Sequence, residues 1–239
     1  MDNLVGKIHS FETLGAVDGP GIRFIIFMQG CNLQCKYCHN RDTWNLHGGT
    51  QYTVTEIYEK IMKYKNYFIA SNGGVTASGG EPLLQVDFLI ALFKKLKSSG
   101  ISTAIDTSGM ITITEKIKEL INLTDLFLVD IKCINDDICK NLVGHSNKQE
   151  LEFIKYLDSI NKEIWIRQVV VPTITDKEED LYKLRDFINS INSITKVDLL
   201  PYHDLGKYKW LELNEKYPLE NIRTATNSDI ERVKKILEG

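Results

Sequence analysis

No stretch of the chain approaches the roughly 20 consecutive apolar residues that a membrane span requires. The first residues, MDNLVGKIHSF, hold neither a long apolar core nor a small-residue cleavage site. A membrane protein or an exported one is therefore not expected, and the expected location is the cytoplasm. Positive charge is not in excess either: the net charge is −3, and the lysines are spread along helical segments rather than gathered in one run. A nucleic-acid partner is excluded on that ground, because phosphate binding needs a basic field. Linkers, low-complexity segments and internal repeats are also missing, so residues 1–239 read as a single domain, of a length that one α/β barrel commonly reaches. Cysteine is scarce and odd in number, with five in all: three between positions 31 and 38, then Cys133 and Cys139. A disulfide framework would leave one thiol over, whereas a tight cluster in a reducing compartment reads as metal ligation.

What is present is a globular composition, 43% hydrophobic and 26% charged, which allows a sizeable core. Short runs rich in Val, Ile and Phe alternate with longer amphipathic stretches, the pattern of repeated βα units around a parallel sheet. Six strands are predicted, at 22–28, 74–78, 102–106, 126–131, 164–171 and 197–201. Thr53 followed by Glu56 is a capping box, opening a helix predicted over 53–68. Phe88, Leu89, Leu92, Phe93 and Leu96 repeat at helical spacing and stop before Gly100. Further helices are expected at 113–122, 148–161, 178–190 and 228–237.

Polar and glycine-rich groups follow nearly every predicted strand. The cysteine loop comes after the first, Gly79–Gly80–Glu81–Pro82 after the second, Asp106–Thr107–Ser108–Gly109 at the third and Asp130–Ile131–Lys132 at the fourth. The fifth carries Arg167, and the sixth runs into Pro201–Tyr202–His203. In parallel βα architectures the carboxyl ends of the strands form the active site, so these six segments are expected to meet.

The cysteine loop has the spacing C-x-x-x-C-x-x-C at Cys31, Cys35 and Cys38. Three thiolates can bind three irons of a cubane cluster and leave the fourth iron open to a chelating ligand. Zinc or buried inert cysteines are the other readings. Structural zinc wants four ligands, and His39, directly after Cys38, is poorly placed to complete the set. The remaining groups also have plainer readings: Gly79 and Gly80 as a tight turn, Asp106 and Asp130 as helix caps, Lys132 as the partner of Asp130, Asp18 as a turn residue. Arg167 lies in an apolar strand and needs a partner or access to the rim. Cys133 and Cys139 match no metal position and are read as packing residues.

With Tyr37 just before its last cysteine, this loop resembles the signature of the radical S-adenosylmethionine superfamily, and within it the activases of glycyl-radical enzymes. Segments 9–11, 17–24, 29–44, 73–82, 130–132, 165–172 and 199–203 all read alike, so the resemblance covers essentially the whole chain. It implies an α/β fold, an incomplete TIM-like barrel of about six βα units with parallel strands and outer helices. It implies a [4Fe–4S] cluster on Cys31, Cys35 and Cys38 that reductively cleaves S-adenosylmethionine to a 5′-deoxyadenosyl radical. The cofactor would lie on Tyr37, Cys38, His39, Gly79, Gly80, Glu81, Asp130, Ile131, Lys132, Arg167 and His203. A monovalent cation, Na+ or K+, would sit on Asp106, Thr107, Asp130 and the backbone at Leu128, and Asp18 would lie near the substrate peptide. The implied protein substrate is pyruvate formate-lyase, whose glycine Cα loses hydrogen; flavodoxin or ferredoxin would be the reductant of a monomeric enzyme. Another glycyl-radical enzyme or a small molecule is the alternative substrate, and a zinc module or an iron–sulfur electron carrier the non-enzymatic alternative. With only Cys133 and Cys139 outside the motif, the chain cannot hold the extra clusters that several activases of other glycyl-radical enzymes carry.

Overall fold

The structure is a computed structural model that describes residues 4–239; residues 1–3, the start of the expected single domain, lie outside the described residues. The chain forms two compact units. The first runs from the first described residue to Asn32 and includes Thr43–Thr107 and Ile111–Leu128; the second comprises Leu33–Asp42, Ser108–Met110 and Val129–Gly239.

The first unit holds β1 (Val5–Gly15), β2 (Arg23–Met28), β3 (Thr50–Thr53), α1 (Val54–Met62), α2 (Lys65–Ser71), β4 (Gly74–Gly79), α3 (Val86–Ser98), β5 (Ser102–Thr107), α4 (Glu115–Leu123) and the start of β6 (Leu126–Asp130). The second holds the end of β6, α5 (Asp136–Val143), α6 (Lys148–Ser159), β7 (Glu163–Val170), α7 (Glu178–Asn189), β8 (Ile194–Pro201), α8 (Lys207–Glu212) and α9 (Asn227–Glu238). The strand order is β3-β1-β2-β4-β5-β6-β7-β8. β2, β4 and β5 pair in parallel, as do β7 and β8, whereas β1 is antiparallel to both of its neighbours.

All six predicted strands are present, joined by two that the sequence pattern did not reveal. β1 escapes because its register slips between Ile8 and Ser10 and again between Glu12 and Gly15. Each slip breaks the two-residue alternation by which a half-buried strand is recognised. β3 has only four residues, none of them buried. β2 and β4 are instead buried almost throughout, as strands covered on both faces must be: Ile25, Ile26, Val75 and Ala77 have no exposed surface.

The capping box is formed. Glu56 N–H donates to Thr53 Oγ1 at 3.2 Å, and Thr53 N–H donates to Glu56 Oε2 at 2.7 Å. The single helix expected over 53–68 is divided, however. α1 ends at Met62, Tyr64 has φ −106°, and α2 starts afresh at Lys65. The break tilts the Tyr64 ring against Phe24 of β2, with ring centroids 5.6 Å apart. α5 and α8 were not predicted; at eight and six residues they are too short to show a helical period. Among the described residues, no helix is long and apolar enough to cross a membrane.

Candidate functional site

Three strand exits meet within the first unit. Beyond β2, the Gly30 carbonyl accepts from Glu81 N–H at 2.8 Å, and the Met28 carbonyl accepts from Gly80 N–H at 2.9 Å. The turn that leaves β4 is thereby stitched to the stem of the cysteine loop. Only glycine fits at position 80, because a Cβ there would stand 2.1 Å from the Gly30 carbonyl oxygen. Glu81 is 1% exposed. Its Oε1 accepts from Leu83 N–H at 3.1 Å, capping the short 3-10 turn Pro82–Gln85, and from Thr107 Oγ1 at 2.6 Å. Ser78 Oγ donates to Asp106 Oδ2 at 2.7 Å. Ser78, Gly79, Gly80 and Glu81 at the end of β4 are thus joined to Asp106 and Thr107 at the end of β5. Leu128 of β6 is fully buried. Asp18 lies apart from this edge: its main-chain carbonyl accepts from Thr76 Oγ1, in mid-strand, at 2.6 Å.

In the second unit the segment from Leu33 to Asp42 carries Cys35 and Cys38. The Cys35 carbonyl accepts from Cys38 N–H at 2.9 Å, which closes a tight turn around Tyr37. Gln34 N–H donates to the Val143 carbonyl at 3.1 Å and Lys36 N–H to the Leu142 carbonyl at 2.9 Å. The C-terminal end of α5 therefore holds the loop by its backbone. None of the five cysteines is in a disulfide. Cys133 and Cys139 are buried, at 2% and 0% exposure, as packing residues would be, and burial pushes the Cys133 thiol up to about 11.

Tyr37 has a buried hydroxyl without a hydrogen-bond partner. Burial raises its pKa well above the usual range, with Lys132, Cys35, Asp130 and Glu150 close enough to contribute. Lys132 Nζ pairs with Asp130 Oδ2 at 2.6 Å. Burial works against the Lys132 charge, but Asp130 and the acidic groups around it outweigh that and raise its pKa. Glu150, fully buried on α6, accepts from Lys132 N–H at 3.2 and 3.3 Å, and burial drives its carboxyl well above the ordinary carboxylate range.

Ile131 N–H donates to the Arg167 carbonyl at 2.9 Å, and Arg167 is 8% exposed on β7. His203 stacks on His39 with ring centroids 4.1 Å apart and planes at 24°. His39 Nε2 lies 3.0 Å from the His203 carbonyl, which can only accept, so Nε2 carries the proton. His203 Nδ1 is buried without a partner, and burial lowers the pKa of that ring.

Three relevant residues were missed in the sequence. Arg23 has no exposed surface, and its Nε donates to Thr76 Oγ1 at 3.0 Å; burial lowers its pKa to about 10. Glu150 could have been found, since it occupies the same helical stripe as Phe153, Ile154 and Leu157. Trp210, whose indole N–H reaches the cysteine loop, lies in a helix too short to be read.

Among the described residues, no three His, Cys, Asp or Glu side chains form a ready-made metal-ligand group. Three thiolates at C-x-x-x-C-x-x-C suit a cubane with one open iron. Within the second unit, the buried polar atoms of Tyr37 and His203 that lack a hydrogen-bond partner suit a polar ligand.

Residues 25–185 match the family model described as the Radical SAM superfamily. The pyruvate formate-lyase 1-activating enzyme of Escherichia coli (strain K12) is 47% identical over 237 residues, 99% of this chain and 96% of its own length. A solved domain of a pyruvate-formate lyase-activating enzyme from Bacteroides vulgatus superposes with a TM-score of 0.59 at 24% identity, covering 70% of this chain and 93% of that one. Streptococcus suis SuiB bound to its precursor peptide SuiA gives a TM-score of 0.69 at 18% identity, covering 90% of this chain and 44% of that one. These likenesses bear out the expected fold class, an α/β chain with a mostly parallel sheet consistent with an incomplete TIM-like barrel.

Proposed function

Because the chain belongs to the radical SAM superfamily, whose members use a [4Fe–4S] cluster and S-adenosylmethionine, we propose that it activates pyruvate formate-lyase by installing a glycyl radical. The observation that carries this reading is the near full-length identity to an activating enzyme of that name. Bound at Cys31, Cys35 and Cys38, the cluster and S-adenosylmethionine would supply one-electron cleavage to a 5′-deoxyadenosyl radical, the species that takes hydrogen from a glycine Cα.

The chain's own residues bind and orient. Gly79, Gly80 and Glu81 offer a backbone edge to the amino group of S-adenosylmethionine, and the Glu81 carboxylate keeps that turn in shape through Leu83 and Thr107. Lys132 is the cation for the cofactor's carboxylate; its pairing with Asp130 holds the ammonium charged despite burial. Tyr37, His39, Ile131, Arg167 and His203 complete the proposed cofactor contacts, and Asp18 the peptide contact. Asp106, Thr107, Asp130 and the backbone of Leu128 offer oxygen atoms to Na+ or K+, as a hard cation prefers. Residues 1–239 act as one radical SAM domain in this reading, supported by a family match that takes in strands of both compact units. The working location is the cytoplasm, where thiols stay reduced. The reductant is flavodoxin or ferredoxin, and the enzyme works as a monomer.

The test is to mix the reconstituted, reduced chain with S-adenosylmethionine and pyruvate formate-lyase without oxygen and record the electron paramagnetic resonance spectrum. A glycyl radical on the lyase is expected. Formation of 5′-deoxyadenosine with no radical on the lyase would overturn the choice of partner.

A further inference from the structure

The second unit backs its cysteine loop with a segment that the chemistry above does not use. Trp210 of α8 is 5% exposed, and its indole Nε1–H donates to the Cys38 carbonyl oxygen at 3.3 Å. The ring is fixed on several sides. The Arg41 guanidinium lies 5.3 Å from its centroid while pairing with Glu215, Nε to Oε2, at 2.8 Å. Tyr217 meets the ring edge-on at 5.9 Å, and its hydroxyl shares a hydrogen bond with Tyr202 at 3.0 Å. Lys209 Nζ, also on α8, reaches Asp42 Oδ1 at 2.9 Å. Just before the helix, a Cβ on Gly206 would stand 2.8 Å from His39 Cα and 3.2 Å from the Cys38 carbonyl oxygen. The helix is thus drawn tight against residues 38–42, and one strong donor is aimed at one carbonyl.

We infer that Trp210 is a positioning residue for the third cysteine of the motif. The inference rests on the reading that Cys38 is a cluster ligand. A hydrogen bond to the Cys38 carbonyl restricts the backbone dihedrals of that residue, and so the direction in which its Sγ projects. Contacts of this outer kind, which orient a ligand without binding the metal, tune both metal retention and cluster potential. Phenylalanine keeps an aromatic ring at this place, though with less volume. What phenylalanine lacks is the donor.

The discriminating variant is Trp210→Phe, compared with the natural chain after anaerobic loading with iron and sulfide. The unloaded variant is expected to fold, with an unfolding temperature somewhat lowered by the lost ring volume. The loaded variant should lose its visible absorbance to EDTA about tenfold faster, and the g-values of its reduced cluster should shift. Wild-type chelation kinetics together with an unchanged spectrum in Trp210→Phe would overturn the inference. If that variant does not fold, the natural chain labelled with ¹⁵N-tryptophan serves instead. The sequence has three tryptophans, Trp44, Trp165 and Trp210, so Trp44→Phe and Trp165→Phe assign the third indole signal by elimination. That signal should exchange slowly with D2O in the unloaded chain and move when the cluster is loaded; fast exchange and an unmoved signal would overturn the inference. Failure of the underlying reading would look different, because the natural chain itself would take up no [4Fe–4S] cluster.

Discussion

Glu81 is a carboxylate almost sealed from water, and the hydrogen bonds it accepts from Leu83 N–H and Thr107 Oγ1 help it stay there. Removing it strands the Leu83 amide and the Thr107 hydroxyl. Glu81→Ala should therefore cost about 1–3 kcal/mol in denaturant unfolding of the unloaded chain. A double-mutant cycle with Thr107→Val should show coupling of about 1 kcal/mol; additive losses would mean that the contact contributes nothing. Lys132 poses a sharper question, since the pair with Asp130 is also what a purely structural lysine would make. Lys132→Met should weaken S-adenosylmethionine binding at least tenfold in calorimetry of the loaded enzyme. If affinity is unchanged while stability falls, the ammonium serves Asp130 alone. Asp18 is held by its backbone, its carbonyl accepting from Thr76 Oγ1.

At the scale of elements, strand exits were legible and their supports were not. Gly79–Glu81, Asp106–Thr107 and Asp130–Lys132 could be read because polar residues at the end of an apolar run break its pattern. α5 and α8, which grip the cysteine loop, could not be read, because two turns of helix leave no period to detect. β1 was hidden by its two register slips and Glu150 by its place among apolar neighbours. Cys31, Cys35 and Cys38 stand out in the sequence by their close spacing alone, without any help from the strand and helix pattern. α5 also carries a pH prediction. The hydrogen bond from Lys140, followed by that from Ser146, lowers the Asp136 carboxyl from its ordinary 3.8 to about 2. A group depressed in the folded state stabilises it fully above its unfolded pKa and loses that effect as pH falls through its folded one. The stability difference between the natural chain and Asp136→Asn should thus hold down to about pH 4 and shrink between about 4 and 2. A difference independent of pH in that window would contradict the assignment.

At the scale of the whole molecule, the division of labour is between a fold that positions and cofactors that react. The likeness to an activating enzyme extends along nearly the whole chain. Buried at 2% and 0% exposure, Cys133 and Cys139 pack and do not ligate in this account. The most direct measurement is therefore a cysteine series, loaded and reduced without oxygen, scored for iron content and for 5′-deoxyadenosine released from S-adenosylmethionine. The natural chain, Cys133→Ser and Cys139→Ser should each hold about four irons and release the nucleoside, while Cys31→Ser, Cys35→Ser and Cys38→Ser should release none. A natural chain that stays colourless with one zinc bound, or that holds iron yet leaves S-adenosylmethionine intact, would contradict the account.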